Sequence, residues 1–164
     1  LMSHLTNIKS KLFSIEELKD KISAWRENGD KIIFTNGCFD IVHKGHIEVL
    51  AKTADLGNKL VIGLNSDKSI KKIKGSNRPI VDEKARAFLL ASLCFVDAII
   101  LFSEETPINL IKILKPDVLA KGGDYKIETI IGHKEVQDYN GEVTLVPFID
   151  GYSTTSIIEK IKSI

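Results

Sequence analysis

The chain predicts a doubly wound α/β fold built on a parallel sheet, and three observations lead there. From residue 31 onward, apolar runs of strand length alternate with amphipathic helical stretches. That alternation implies parallel strands joined by right-handed crossovers. The runs are near-continuously apolar rather than alternating, as strands covered on both faces require. Finally, the residues capable of chemistry follow directly after strands, where open α/β sheets bind ligands, beyond the carboxyl ends at a switch in strand order.

Taken in order, Ser14-Ile15-Glu16-Glu17 has the form of a capping box, and Leu18, Ile22 and Trp25 follow at helical spacing until Gly29 ends the helix. Trp25 reads as a packing residue of that helix. Strands are expected at Lys31–Thr35, Leu60–Leu64, Ala98–Phe102, Val118–Ala120 and Val143–Val146. Between them, helices are expected around Gly45–Leu56, Asp82–Leu93, Thr106–Leu114 and Lys134–Tyr139, with a last one from Thr155. Asp82 suits an N-cap, and Pro107 suits the first helical position after Thr106. Residues 71–78, a basic run ending in Gly-Ser-Asn-Arg, read as a solvated connection. Cys94, within Leu-Cys-Phe-Val, reads as a small buried hydrophobe.

At 164 residues the chain is expected to form one domain, with 1–29 a helical extension and 30–164 the core. Its 23 basic and 22 acidic residues leave a net charge of +1, so no global field attracts nucleic acid or an anionic membrane. Aromatic content of 7% also argues against a nucleic-acid surface. No apolar run is long enough to span a bilayer, no apolar secretory core opens the chain, and two cysteines make no disulfide framework. A cytoplasmic protein is the expectation.

The most informative stretch runs from Thr35 to His46, Thr-Asn-Gly-Cys-Phe-Asp-Ile-Val-His-Lys-Gly-His. A strand feeding a glycine loop and then a helix N-terminus offers unpaired N–H groups and a positive dipole end to a phosphate. His43 and His46 lie three residues apart, on one face of the first turn, and can reach the same phosphate. Capping and zinc ligation are the alternatives for that pair; Cys38 alone would not complete a structural zinc site. Thr35 and Gly37 sit where the loop approaches a triphosphate, with Phe39 under it and Asn36 and Gly45 in the same stretch as further candidate nucleotide contacts. Asp40 can orient the loop or hold an acceptor hydroxyl. Lys44 can reach phosphate or point to solvent.

This segment resembles the signature of the HxGH nucleotidyltransferase superfamily. The likeness continues through Asn65-Ser66-Asp67, Lys74-Gly75-x-x-Arg78-Pro79, Lys121-Gly122-Gly123-Asp124-Tyr125 and Gly151-Tyr152-Ser153-Thr154-Thr155. Within that superfamily the ordered set is most similar to the adenylyltransferases that make ADP-heptose, a lipopolysaccharide precursor, from ATP and heptose 1-phosphate. The resemblance implies a Rossmann-like nucleotidyltransferase fold, His43, His46 and Lys74 as catalytic groups, and Mg2+ carried by ATP. It implies phosphate or acceptor contacts from Asp40, Asp67, Lys74 and Arg78. Nucleotide contacts would come from Gly123, Asp124, Ser153, Thr154 and Thr155 as well as from the histidine loop. Asp67 and Ser153–Thr155 are equally suited to capping helices, the two glycines at 122–123 to a simple turn, and Arg86 to phosphate or to a surface ion pair. Cytidylyltransferases of the superfamily commonly carry an Arg shortly before Gly-x-Ser-Thr; Phe148-Ile149-Asp150 stands here instead. The rivals are a cytidylyltransferase acting on glycerol 3-phosphate and a nucleotide-binding module without catalysis. A homodimer is also implied by resemblance.

Overall fold

The computed structural model describes residues 3–123, 126–149 and 151–164. Five parallel strands form the sheet: β1 (Ile32–Gly37), β2 (Lys59–Asn65), β3 (Ala98–Phe102), β4 (Val118–Gly122) and β5 (Glu142–Val146), ordered β3-β2-β1-β4-β5. The chain therefore winds outward from β1 to β3, then crosses back to place β4 on the other side of β1. That reversal makes the β1/β4 boundary the switch point. Pairing between β1 and β2 extends from Ile32–Lys59 to Gly37–Leu64. Between β1 and β4 it covers only Ile33–Val118 and Phe34–Leu119, and the strands part beyond.

Strand alternation sorts the apolar side chains onto two faces. On one, Ile32, Phe34, Val61, Ile100 and Leu119 pack against α2 (Ile15–Glu27), α6 (Ile108–Leu114) and α7 (His133–Asp138). On the other, Ile33, Leu60, Ile62, Leu64, Val118 and Ala120 pack against α3 (Lys44–Ala54) and α5 (Glu83–Ala91). The expected strands and helices are all present, and Ser14 and Asp82 cap as expected, whereas α6 begins one residue later than expected, so that Pro107 stands at its N-cap position and not inside its first turn. Glu17 accepts from the Ser14 N–H at 2.8 Å, completing the capping box, and Asp82 Oδ1 accepts from the N–H groups of Lys84 and Ala85, each at 3.0 Å. Trp25 is buried in the first core.

The structure departs from the sequence expectation in several places. Of residues 71–78, expected as a solvated connection, 71–74 instead close helix α4 (Asp67–Lys74): Ser66 caps it by accepting from Ser69 N–H at 3.2 Å, and Ile70 is fully buried. A single anchoring isoleucine among lysines gives too narrow a stripe for periodicity to reveal. A short α1 (His4–Lys9) precedes α2 unannounced, and the strand-like residues after it join the sheet edge. There Ile99 N–H donates to Lys11 O at 2.8 Å and Phe13 N–H to Ile99 O at 3.0 Å, covering the open side of β3. Cys94 is exposed, because the turn after α5 directs Val96 inward in its place. The last helix, α8 (Thr154–Lys162), begins one residue early.

Candidate active site

A cleft of about 960 Å³ opens at the carboxyl ends of the strands, across the switch point. A smaller hollow of about 530 Å³ lies at the opposite strand ends and contains none of the motif residues. The loop after β1 forms the cleft's centre. Phe39 adopts a left-handed backbone (φ 45°), unusual for an aromatic residue. Its ring lies over Gly37, where a Cβ would come within 2.9 Å of it, and its edge meets His46 at 5.4 Å between centroids. Gly37 thus leaves room for the ring that positions the histidine.

His43 stands at the N-cap of α3 but makes no side-chain capping bond. The two imidazoles instead stack, with centroids 3.8 Å apart and planes 20° from parallel. Each has a buried Nδ1 with no protein partner among the described residues. Orphaned ring nitrogens over a helix N-terminus are donors and acceptors waiting for a ligand. Burial lowers the His43 pKa; burial, with the positive charges of His43 and Lys74, brings His46 down to about 4. Both environments favour the neutral imidazole in the free protein. Gly45 lets this wall close: a Cβ there would lie 3.0 Å from Tyr152 Cβ and 3.2 Å from the His43 ring.

Tyr152 brings the start of α8 beside α3, so Ser153, Thr154 and Thr155 line the same cleft. Ser153 also caps α8, its Oγ accepting from Ser156 N–H at 3.0 Å. Lys74 lies exposed at the rim, in the last turn of α4, with no ion pair among the described residues. Thr35, Asn36, Asp40 and Arg78 also line the cleft.

Asp40, however, is already engaged. One carboxylate oxygen accepts from Arg78 Nε at 2.6 Å, the other from Ile80 and Val81 N–H at 2.8 and 2.9 Å. Arg86, with a fully buried side chain, donates to Val81 O at 2.9 Å, Cys38 O at 2.6 Å and Asp67 Oδ1 at 2.8 Å. Glu83 accepts from Asp67 N–H at 2.7 Å. These bonds clasp the histidine loop, residues 78–81, α4 and α5 together. Asp67 does not line the cleft; it faces Arg86. Lys44 also turns aside, pairing with Glu48 at 3.3 Å and lying over the Tyr152 ring. Gly123 extends the sheet by donating to Val146 O at 3.0 Å, outside the cleft lining. Asp124, Tyr125 and Asp150 lie outside the described residues.

Residues not anticipated as ligand contacts also reach the cleft: Cys38, Asn65, Glu105 and Lys121. Lys121 Nζ donates to Asn36 Oδ1 at 3.1 Å, and burial lowers its pKa. Its presence in the Lys-Gly-Gly-Asp-Tyr string was the available signal. Among the described residues, no group of three or more His, Cys, Asp or Glu side chains could hold a metal ion, and no helix is long and apolar enough to cross a membrane.

The cytidylyltransferase-like family profile matches residues 34–160. Among curated proteins, bifunctional protein HldE of Koribacter versatilis is 45% identical over 93% of this chain and 31% of its own length. HldE of Geobacter metallireducens is 49% identical over the same shares. The chain thus spans about a third of the length of these relatives. A solved lipopolysaccharide core biosynthesis protein from Thermoplasma volcanium is 30% identical, with a TM-score of 0.61, covering 76% of this chain and 100% of that one. Pantoate-beta-alanine ligase from Francisella tularensis, at 15% identity and a TM-score of 0.58 over 93% of this chain and 78% of its own, shares the fold. With the profile spanning the sheet, the stacked histidines and the start of α8, the chain belongs to the cytidylyltransferase-like family and is a nucleotidyltransferase.

Proposed function

We propose that this chain transfers AMP from ATP to D-glycero-D-manno-heptose 1-phosphate, forming ADP-heptose and pyrophosphate. The observation that carries the reading is the stacked His43–His46 pair at the start of α3, each ring with an orphaned buried Nδ1, on one cleft with Lys74, Arg78 and the Ser153–Thr155 segment. The likeness to HldE over most of the chain, and to a lipopolysaccharide core biosynthesis protein, supports the sugar substrate.

An acceptor phosphate oxygen attacks the α-phosphorus in line. The new P–O bond forms as the bond to the β-phosphate oxygen breaks, and pyrophosphate leaves with the electron pair. A sugar phosphate is already ionised near neutral pH, so no strong general base is required. The protein's work is positioning and charge stabilisation. Arriving phosphate raises the histidine pKa values, and the rings then donate to α-phosphate and leaving-group oxygens. Lys74 closes over the phosphates from the rim. Thr35, Gly37, Phe39, Gly45, Ser153, Thr154 and Thr155 shape the nucleotide side, and nucleotide contact by Gly123 and Asp124 rests on the resemblance alone. Arg78 keeps its terminal guanidinium nitrogens for phosphate while its Nε holds Asp40; Asp40 and Asp67 position the loop and α4. The described donors build no metal cage, so Mg2+ would enter and leave with the triphosphate. Residues 30–164 act as the catalytic core with 1–29 as its extension, in the cytoplasm, and pairing of two copies is testable by light scattering.

The test is pyrophosphate release with Mg–ATP and β-heptose 1-phosphate, run beside CTP and glycerol 3-phosphate. Release with the first pair, with ADP-heptose found by mass, is expected. Turnover only with CTP would move the chain to the cytidylyl branch that the family description names. ATP binding without any product would leave a binding module.

A further inference from the structure

The cleft has two halves, divided by the sheet. Thr35 and Gly37 alternate onto the α3 face with Ile33, whereas Asn36 and Lys121 continue the opposite face of Phe34 and Leu119. Gly63 confirms the side for Asn36: a Cβ there would touch the Phe34 ring at 2.7 Å and Asn36 Cβ at 3.4 Å. The histidines and the start of α8 therefore occupy one half. The other is walled by the segments leading into α6 and α7, with Asn36 and Lys121 at its floor. Those two sit two residues beyond the last pair of the β1/β4 ladder, and the Lys121 ammonium spans the gap to Asn36 Oδ1 at 3.1 Å and Asn36 O at 3.4 Å.

We infer that this second half is the acceptor site, and that Lys121, held by Asn36, binds the phosphorylated sugar there. The inference rests on the reading that the cleft joins a nucleotide to a sugar phosphate. In-line transfer needs the attacking oxygen on the side of the α-phosphorus opposite the departing pyrophosphate. With the helix N-termini and histidines gathering the triphosphate on the α3 face, the acceptor approaches over β1 and β4. Lys121 makes no salt bridge among the described residues, and two uncharged oxygens of one asparagine leave a donor of its ammonium unused. Burial without a counter-charge disfavours the charged form, and an incoming phosphate compensates it. Glu105 and Asn65, on the same cleft, offer oxygens suited to sugar hydroxyls.

The experiment is calorimetric titration of wild type, Lys121→Met and Lys121→Arg with α,β-methylene-ATP, then with β-heptose 1-phosphate on the nucleotide complex. Sugar-phosphate affinity should fall roughly ten- to hundredfold in Lys121→Met, as loss of a charge-assisted bond implies, and recover in part in Lys121→Arg. Nucleotide affinity should stay within about twofold. Weakened nucleotide binding, or unaltered sugar-phosphate binding, overturns the inference alone. A wild type that binds nucleotide but no sugar phosphate overturns the proposed function, and this inference with it.

Discussion

On the α3 side of the cleft, the functional side chains come from one short stretch and its helix, residues 35–46, joined by the start of α8. On the α6/α7 side they come from the ends of β1, β2 and β4 and from the approach to α6, with Asn36, Asn65, Lys121 and Glu105 distant in sequence. The first half is a local device. Phe39 over Gly37 sets the loop, the helix start supplies dipole and N–H groups, and the rings stack at i and i+3. The second is assembled by the sheet, and strand register places Lys121 in it. If the proposed roles hold, the local half would serve the nucleotide and the assembled half the acceptor.

That comparison can be broken at several points. The largest effect is expected at the clasp beside the histidine loop. Asp40→Ala strands Arg78 and two N–H groups around a side chain only 1% exposed, and should cost about 3–5 kcal/mol in urea unfolding. An unchanged midpoint would mean that the loop holds itself.

Next in size, His46→Ala should lower kcat about a hundred- to a thousandfold, as removal of a preorganised transition-state donor does, with the fold intact by circular dichroism. Near-wild-type turnover in the folded variant would remove the histidine mechanism from the α3 half.

Lys74→Ala should reduce kcat/KM roughly tenfold or more while leaving the unfolding midpoint in place, because the exposed rim lysine pairs with nothing described. A shifted midpoint with intact activity would recast it as structural.

The smallest effect is a pH dependence. His46 in the folded protein titrates at about 4, below its ordinary 6.5, so on acidification the unfolded chain takes up the proton first. This contribution to stability is fully present above pH 6.5 and is lost as the pH falls through 4. His46→Asn should flatten that window in thermal unfolding, and saturating ATP should shrink the acid loss in wild type by favouring the charged ring. Equal pH slopes for wild type and variant would place the acid sensitivity elsewhere.

Much of the architecture was legible because it rests on short-range rules. Apolar runs marked the strands, Ser14 and Asp82 marked helix starts through bonds made within three residues, and the histidine motif is contiguous. The misses have the opposite character. Helix α4 hangs on one buried Ile70 and a Ser66 cap, too little pattern to detect. Arg86 sits mid-helix among alanines, and only the fold shows that it ties Cys38, Val81 and Asp67 together. Cys94 follows apolar neighbours yet faces water, since a turn and not a helix sets its direction.

The sequence by itself determined the parallel α/β class, the glycine loop running into a helix start and the pairing of His43 with His46, since periodicity, capping and helical spacing act within a turn or two of chain. Only the tertiary structure decided that Asp40 is spent on Arg78, that Asp67 serves Arg86, and that Lys121 meets Asn36 across the parting of β1 and β4. Those partners are separated by 19 to 85 residues, and nothing local to either one encodes the register that brings them together.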